Sequence, residues 1–169
     1  MTAEQLATEL NASTSELIES LSRFTPEAAT QKVSAEEWSA AEVGEHLLIL
    51  ETIANRVLRG DTIESNRPPD EKMALIERAM LDLDTKRKAP DAVLPSARHG
   101  NLSEIIAGLQ KQRRLLIEII ETADLNRACI AFKHPGLGTL TMMEWIRFTS
   151  LHSRRHVTQL ERIFQRHCQ

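Results

Sequence analysis

Tyrosine is absent from this sequence of 169 residues, and aromatic residues of all kinds make up only 4% of it. The missing phenol removes one common oxyanion or phenolate donor from any chemistry the chain performs. Cysteine is scarce too: Cys129 and Cys168 do not form a C-x-x-C pair, so a disulfide framework and a thiolate zinc ribbon are set aside and two free thiols are expected. Basic residues are not in excess, since 21 Lys and Arg face 24 Asp and Glu, giving a net charge of −3 and a pI near 6.1. The electrostatic footprint of a nucleic-acid binder is therefore missing. No stretch is apolar for long enough to span a bilayer. The opening "MTAEQLATELNAST" carries acidic and polar residues where a signal peptide needs a basic start and an apolar core. A cytoplasmic protein with no nucleic-acid or membrane partner is expected. Runs of alternating β-branched residues bounded by turn chemistry are lacking as well, which excludes a β-rich fold.

What is present is helical throughout. With 41% hydrophobic and 27% charged residues, the chain suits one domain spanning residues 1–169 around its own core. Four places pair a capping residue with Glu or Gln three positions later: Thr2 with Gln5, Ser39 with Glu42, Asn101 with Glu104, and Thr141 with Glu144. Each opens a long periodic segment, and Trp38 and Leu140 stand where they can staple onto Val43 and Trp145. The first helix is expected from about Ala3 to Arg23, with Leu6, Leu10, Leu17 and Leu21 on one stripe and Pro26 ending it or opening a short turn. The second runs from Ala40 to about Arg59 and takes Gly60 as its C-cap. The third is "SEIIAGLQKQRRLLIEIIETA", and the loop "FKHPGLGTLT" delivers the chain into the fourth. Between the second and third helices, residues Asp61 to Gly100 hold a short helix in "EKMALIERAMLDL" and far more chain than a tight connection needs. Such a length predicts a crossover, with helices two and three as parallel neighbours in an all-α four-helix bundle.

The chemistry concentrates in histidine. On the fourth helix Met142, Trp145, Thr149, His152, His156, Gln159 and Ile163 follow at spacings of three and four, so they share a face that begins and ends apolar and must turn inward. His152 and His156 then lie one turn apart, a spacing a metal ion can bridge. On the second helix His46 interrupts the stripe of Val43, Leu47, Leu50, Ile53 and Val57 and faces inward as well. Buried imidazoles need partners for their nitrogens, and a shared metal is one solution among several, ordinary core histidines being another. His99, His134 and His167 fall in loops or at the tail, where solvated or capping roles are expected. The zincin pattern is set aside because His152-Ser153-Arg154-Arg155-His156 has no glutamate beside the first histidine. Glu42, Glu45 and Glu144 are candidate proton carriers, although capping or surface charge explains all three. Gln159, one turn beyond His156, is placed to accept the second N–H of a ligating imidazole.

The segments "WSAAEVGEHL" and "TLTMMEWIRFTSLHSRRHVTQL" resemble the two signature regions of the DinB-like superfamily. In that family a Trp-Ser helix start precedes a histidine on the second helix, and the fourth carries H-x-x-x-H followed by Gln. His46, His152, His156 and Gln159 occupy those positions here. The resemblance implies a four-helix bundle of up-down-down-up topology, a divalent metal held by the three histidines, and a homodimer. Three neutral imidazoles suit zinc or nickel, between which affinity order alone does not choose. Three protein ligands also leave a position for water or substrate, as in catalytic zinc sites. By resemblance the activity is that of a thiol S-transferase, using a low-molecular-weight thiol and a small-molecule substrate, or of a metal-dependent hydrolase. The alternative is a non-catalytic metal-binding dimer whose ion merely ties the second helix to the fourth.

Overall fold

Each long helix begins where a side chain can accept an otherwise orphaned backbone N–H. In the computed structural model, which describes residues 1–83, 85, 88–96 and 101–167, Thr2 and Ser39 form full capping boxes with Gln5 and Glu42 and start α1 (Ala3–Ser22) and α3 (Ala40–Leu58). Asn101 caps α5 (Leu102–Thr122) through the Glu104 N–H. Thr141 and Glu144 bond each other's backbone N–H at the head of α6 (Met142–His167). Thr25 caps a short α2 (Pro26–Thr30), where proline occupies the first turn. The long connection contains α4 (Met73–Leu81) and a 3₁₀ turn at Asp91–Val93. A ladder of two residues per strand, β1 (Thr62–Ile63) antiparallel to β2 (Ala128–Cys129), is not announced by the helical periodicity.

The helix directions follow from cross-helix contacts. Glu9 meets Arg147, Glu16 meets Arg154 and Arg23 meets Glu161, so α1 and α6 run in parallel. Asn55 donates to the Gln112 carbonyl at 3.1 Å and Arg59 to the Leu115 carbonyl at 3.4 Å, so α3 and α5 also run in parallel, as the crossover requires. A Cβ on Gly108 would come within 2.9 Å of a Leu48 methyl, and glycine there lets α5 approach α3 closely. Ala54 and Val57 gather with Trp145 and Phe148, whereas Val43 and Leu47 gather with Leu160 and Ile163, so α3 runs antiparallel to α6. The bundle is thus up-down-down-up. The expected C-cap role of Gly60 needs correction: α3 does end there, but Gly138 is the positive-φ glycine among the described residues, and Gly60 is not in the left-handed region. What Gly60 provides is room, since a Cβ on it would come within 2.8 Å of the Ala131 Cβ.

The apolar core falls into two halves. One gathers Leu6, Leu10, Ala54, Leu116 and Leu151; the other gathers Leu17, Leu21, Leu47, Leu109 and Leu160. Between them on the four helices stand Ser13, Glu51, Arg113 and Ser153, all buried. No helix among the described residues is long and apolar enough to cross a membrane.

Candidate metal centre

His46 lies two turns into α3, beneath the Trp38 indole at 4.9 Å between ring centres. His152 and His156 lie one turn apart on α6. The packing of α3 on α6 brings the three rings to 4.6–5.2 Å between centres, and one nitrogen from each lies within 4.8 Å of the others. No other group of three His, Cys, Asp or Glu among the described residues converges in this way.

Hydrogen bonds decide which nitrogens are bare. The Val93 carbonyl lies 2.7 Å from His46 Nδ1, and a carbonyl only accepts, so Nδ1 carries the proton and Nε2 keeps its lone pair. Gln159 Oε1 does the same for His156 Nδ1 at 2.8 Å. The two Nε2 atoms of His152 and His156 then face each other at 3.2 Å. If His152 donates across that contact, its own Nδ1, buried and without a partner, is left as a bare lone pair. If Nδ1 holds the proton instead, two lone pairs are opposed at 3.2 Å. Either tautomer leaves an uncompensated buried nitrogen, whereas one cation between the rings would take all three Nε2 lone pairs and leave the His152 Nδ1–H as the one unpartnered ring atom of the cluster.

Electrostatics favours the neutral, ligating form. Burial lowers the pKa of His46, opposed in part by the Val93 bond. Burial, with the charges of His46 and Arg155, outweighs the Gln159 bond and takes His156 down to about 3. His152 is pushed well below its ordinary value by burial, then by His156, His46, Arg155 and His134. The donor set and its protonation state fit a divalent borderline ion such as zinc or nickel.

The residue preceding a ligand on each helix anchors the crossover over the site. Arg155 donates to the carbonyls of Met80, Asp82 and Thr85. Glu45 accepts from the Ser96 N–H at 3.1 Å and its hydroxyl at 3.3 Å. The expectation of Glu45 as a capping or surface residue is therefore corrected, because it is buried and holds the chain that presents Val93 to His46. Glu42 and Glu144 do cap. Burial raises the Glu144 pKa, but hydrogen bonds from Arg67, Thr141 and Lys72 and the Arg67 charge outweigh it and leave the carboxyl below its usual range. His134 takes the capping role, its Nδ1 accepting from the Gly136 and Leu137 N–H groups at 3.2 Å, but it is not a solvated residue, being half-buried with its ring packed on Trp145 and Phe148. His167 lies outside the cluster, against the Gln31 carbonyl. Cys129 is a buried free thiol whose pKa burial raises to about 11, which makes it inert near neutrality. His99 and Cys168 lie outside the described residues. Phe148, stacked on His152 at 5.4 Å, was missed although it stands four residues before it on the same face. Val93 acts through its backbone, for which no side-chain pattern exists.

Residues 8–160 match the DinB superfamily, and the chain belongs to that family. It is similar to "Uncharacterized protein YuaE" of Bacillus subtilis (strain 168), with 31% identity over 156 residues, 85% of this chain and 87% of that protein. It also superimposes on the crystal structure of TT2238, a four-helix bundle protein, with a TM-score of 0.61 and 23% identity over 95% of this chain and 99% of that one.

Proposed function

We propose that the chain is a metal-dependent enzyme in which His46, His152 and His156 hold one divalent ion, zinc or nickel, for S-transfer from a low-molecular-weight thiol or for hydrolysis of a small molecule. The observation that carries this reading is the 3.2 Å approach of two Nε2 atoms while oxygen acceptors occupy the Nδ1 side of His46 and His156. An ion there supplies Lewis acidity, able to activate water or keep a thiol nucleophilic near neutral pH. The chain's own residues orient the donors: the Val93 carbonyl and Gln159 hold the Nδ1 protons, while Trp38 and Phe148 cover the faces of His46 and His152.

The cluster offers three donors among the described residues, which favours an open coordination position and so an enzyme. The second reading is a non-catalytic metal-binding dimer whose ion ties α3 to α6. Its support is the low exposure of His46 and His156, 3% and 9%. The test begins with protein purified without a histidine tag, with elemental analysis and then calorimetry on wild type and single alanine variants. One ion per chain is expected, lost in His46→Ala, His152→Ala and His156→Ala and kept in His99→Ala and His167→Ala. Equal binding by wild type and His46→Ala would remove the third ligand. Turnover of the loaded protein against thiol and electrophile panels separates the enzyme from the structural tie.

A further inference from the structure

Glu51 is fully buried and Arg113 is 3% exposed, yet neither belongs to the histidine cluster. Arg113 Nε and Nη2 grip Glu51 in a bidentate pair at 2.8 and 2.6 Å. Nη1 donates to Ser13 Oγ at 3.0 Å, and Nη2 donates also to Ser153 Oγ. One guanidinium from α5 thereby joins α3, α1 and α6. Buried pairs of this kind add little stability over apolar residues of similar volume, and setting register is their best-attested use. The two half-cores consist largely of Leu, Ile, Val and Ala, whose contacts tolerate small sliding and repacking. A two-pronged ion pair does not tolerate it.

The layer is also close to the histidines along the same helices. Ser153 follows His152 directly and precedes His156 by three residues, and Glu51 lies five residues after His46, about 7.5 Å along the axis. A slide of α3 by one residue would carry His46 about 1.5 Å along the axis, whereas metal–ligand distances hold within about 0.2 Å. Apolar packing alone is too coarse for that.

We propose that the Glu51–Arg113–Ser153 layer positions the histidine cluster, fixing the axial register of α3 against α6 so that the three imidazoles converge. Its consequence for a metal rests on the proposed function, but its consequence for the rings does not. The test is therefore read in both metal-free and cobalt-loaded protein. In Glu51→Leu/Arg113→Met both charges are removed together, and the Ser13 and Ser153 hydroxyls keep their bonds to the Leu10 and Thr149 carbonyls at 3.0 Å. No buried charge or donor is orphaned, and the urea midpoint is expected to be unchanged or raised.

In metal-free wild type, proton nuclear Overhauser contacts are expected between the His46 ring and the rings of His152 and His156, whose centres lie 5.2 and 4.9 Å away, and the double variant is expected to lose or weaken them. The His156 Nδ1–H tautomer, set by Gln159 on the same helix, is expected to stay as it is. Cobalt(II) affinity is expected to fall about tenfold or more, the scale on which residues one shell out act, with weaker visible d–d bands as four-coordinate geometry is lost. Should the double variant fail to fold, Ser153→Ala retains the Arg113–Glu51 pair and cuts only the α6 link, and it is expected to weaken the same His46 contacts. Lost ring contacts in a variant of a wild type that binds no cobalt uphold the positioning role and overturn the metal reading instead. Unchanged ring contacts, cobalt spectrum and affinity in the folded variants overturn the proposal.

Discussion

Ser153 and its neighbours His152 and His156 sit within one turn of α6 but belong to two buried polar clusters that are resolved in opposite ways. Around Ser153, the bidentate Arg113–Glu51 pair and two serine hydroxyls meet each other's donors and acceptors. Around the histidines, lone pairs converge, and His152 Nδ1 has no partner. Burial alone therefore does not mark a functional site. Both clusters pay desolvation, but only in the histidine cluster do like groups, the ring lone pairs, face one another.

The sharpest way to break this contrast is to delete one member of the satisfied layer. Arg113→Ala leaves Glu51 buried without a counter-charge and is expected to lower unfolding stability by about 3–5 kcal/mol, seen as a reduced urea midpoint. His152→Ala removes the ring whose buried Nδ1 has no partner and should destabilise the metal-free protein far less. A comparable loss in both variants would mean that the histidine cluster is as structural as the arginine layer.

Metal comes next in size. At free zinc 100-fold above Kd, the wild type should gain about 2.7 kcal/mol, read as a rise in thermal midpoint that chelator abolishes and that each ligand variant lacks. Gln159→Leu, which leaves the His156 Nδ1 proton without its acceptor, should weaken zinc binding by about 10–100-fold. Competition with a chromophoric chelator measures it.

Acid separates the clusters again. Because the folded-state pKa values of His46, His152 and His156 lie below the ordinary 6.5, the unfolded chain takes up protons that the folded chain refuses as pH drops below about 6.5. Metal-free stability should decline from there until His156 itself protonates near pH 3. Urea midpoints at pH 7.5, 6 and 5 test this, and His152→Ala should show a shallower decline. The smallest effect is local: Ser39→Ala deletes the acceptor for the Glu42 N–H and should cost about 1 kcal/mol. An unchanged midpoint in that variant would mean that Glu42 and the neighbouring chain hold the α3 start without the serine.

Much of this arrangement was written locally. The starts of α1, α3, α5 and α6 follow from side chains that bond backbone three residues away, and the Leu6, Leu10, Leu17, Leu21 stripe and the inward face of α6 follow from helical period. The same period placed His152 and His156 on one face. The crossover could be inferred from its length, because a connection of that size frees two successive helices to run in parallel.

Other features depend on residues distant in sequence. Glu45 looked like a helix-surface charge until Ser96 came to it across 51 positions, and His134 looked solvated until its loop folded onto Trp145 and Phe148. Gly60 looked like a left-handed cap, but it serves the approach of Ala131. The sequence by itself determined the helices, their apolar faces and the identity of the inward histidines, since capping and periodicity act over three or four residues. Only the tertiary structure decided that His46 meets His152 and His156, that Val93 turns the bare Nε2 of His46 toward them, and that Arg113 binds four helices together. Those outcomes depend on how the helices are aligned along their axes, and that alignment is set by contacts between segments 40 to 110 positions apart.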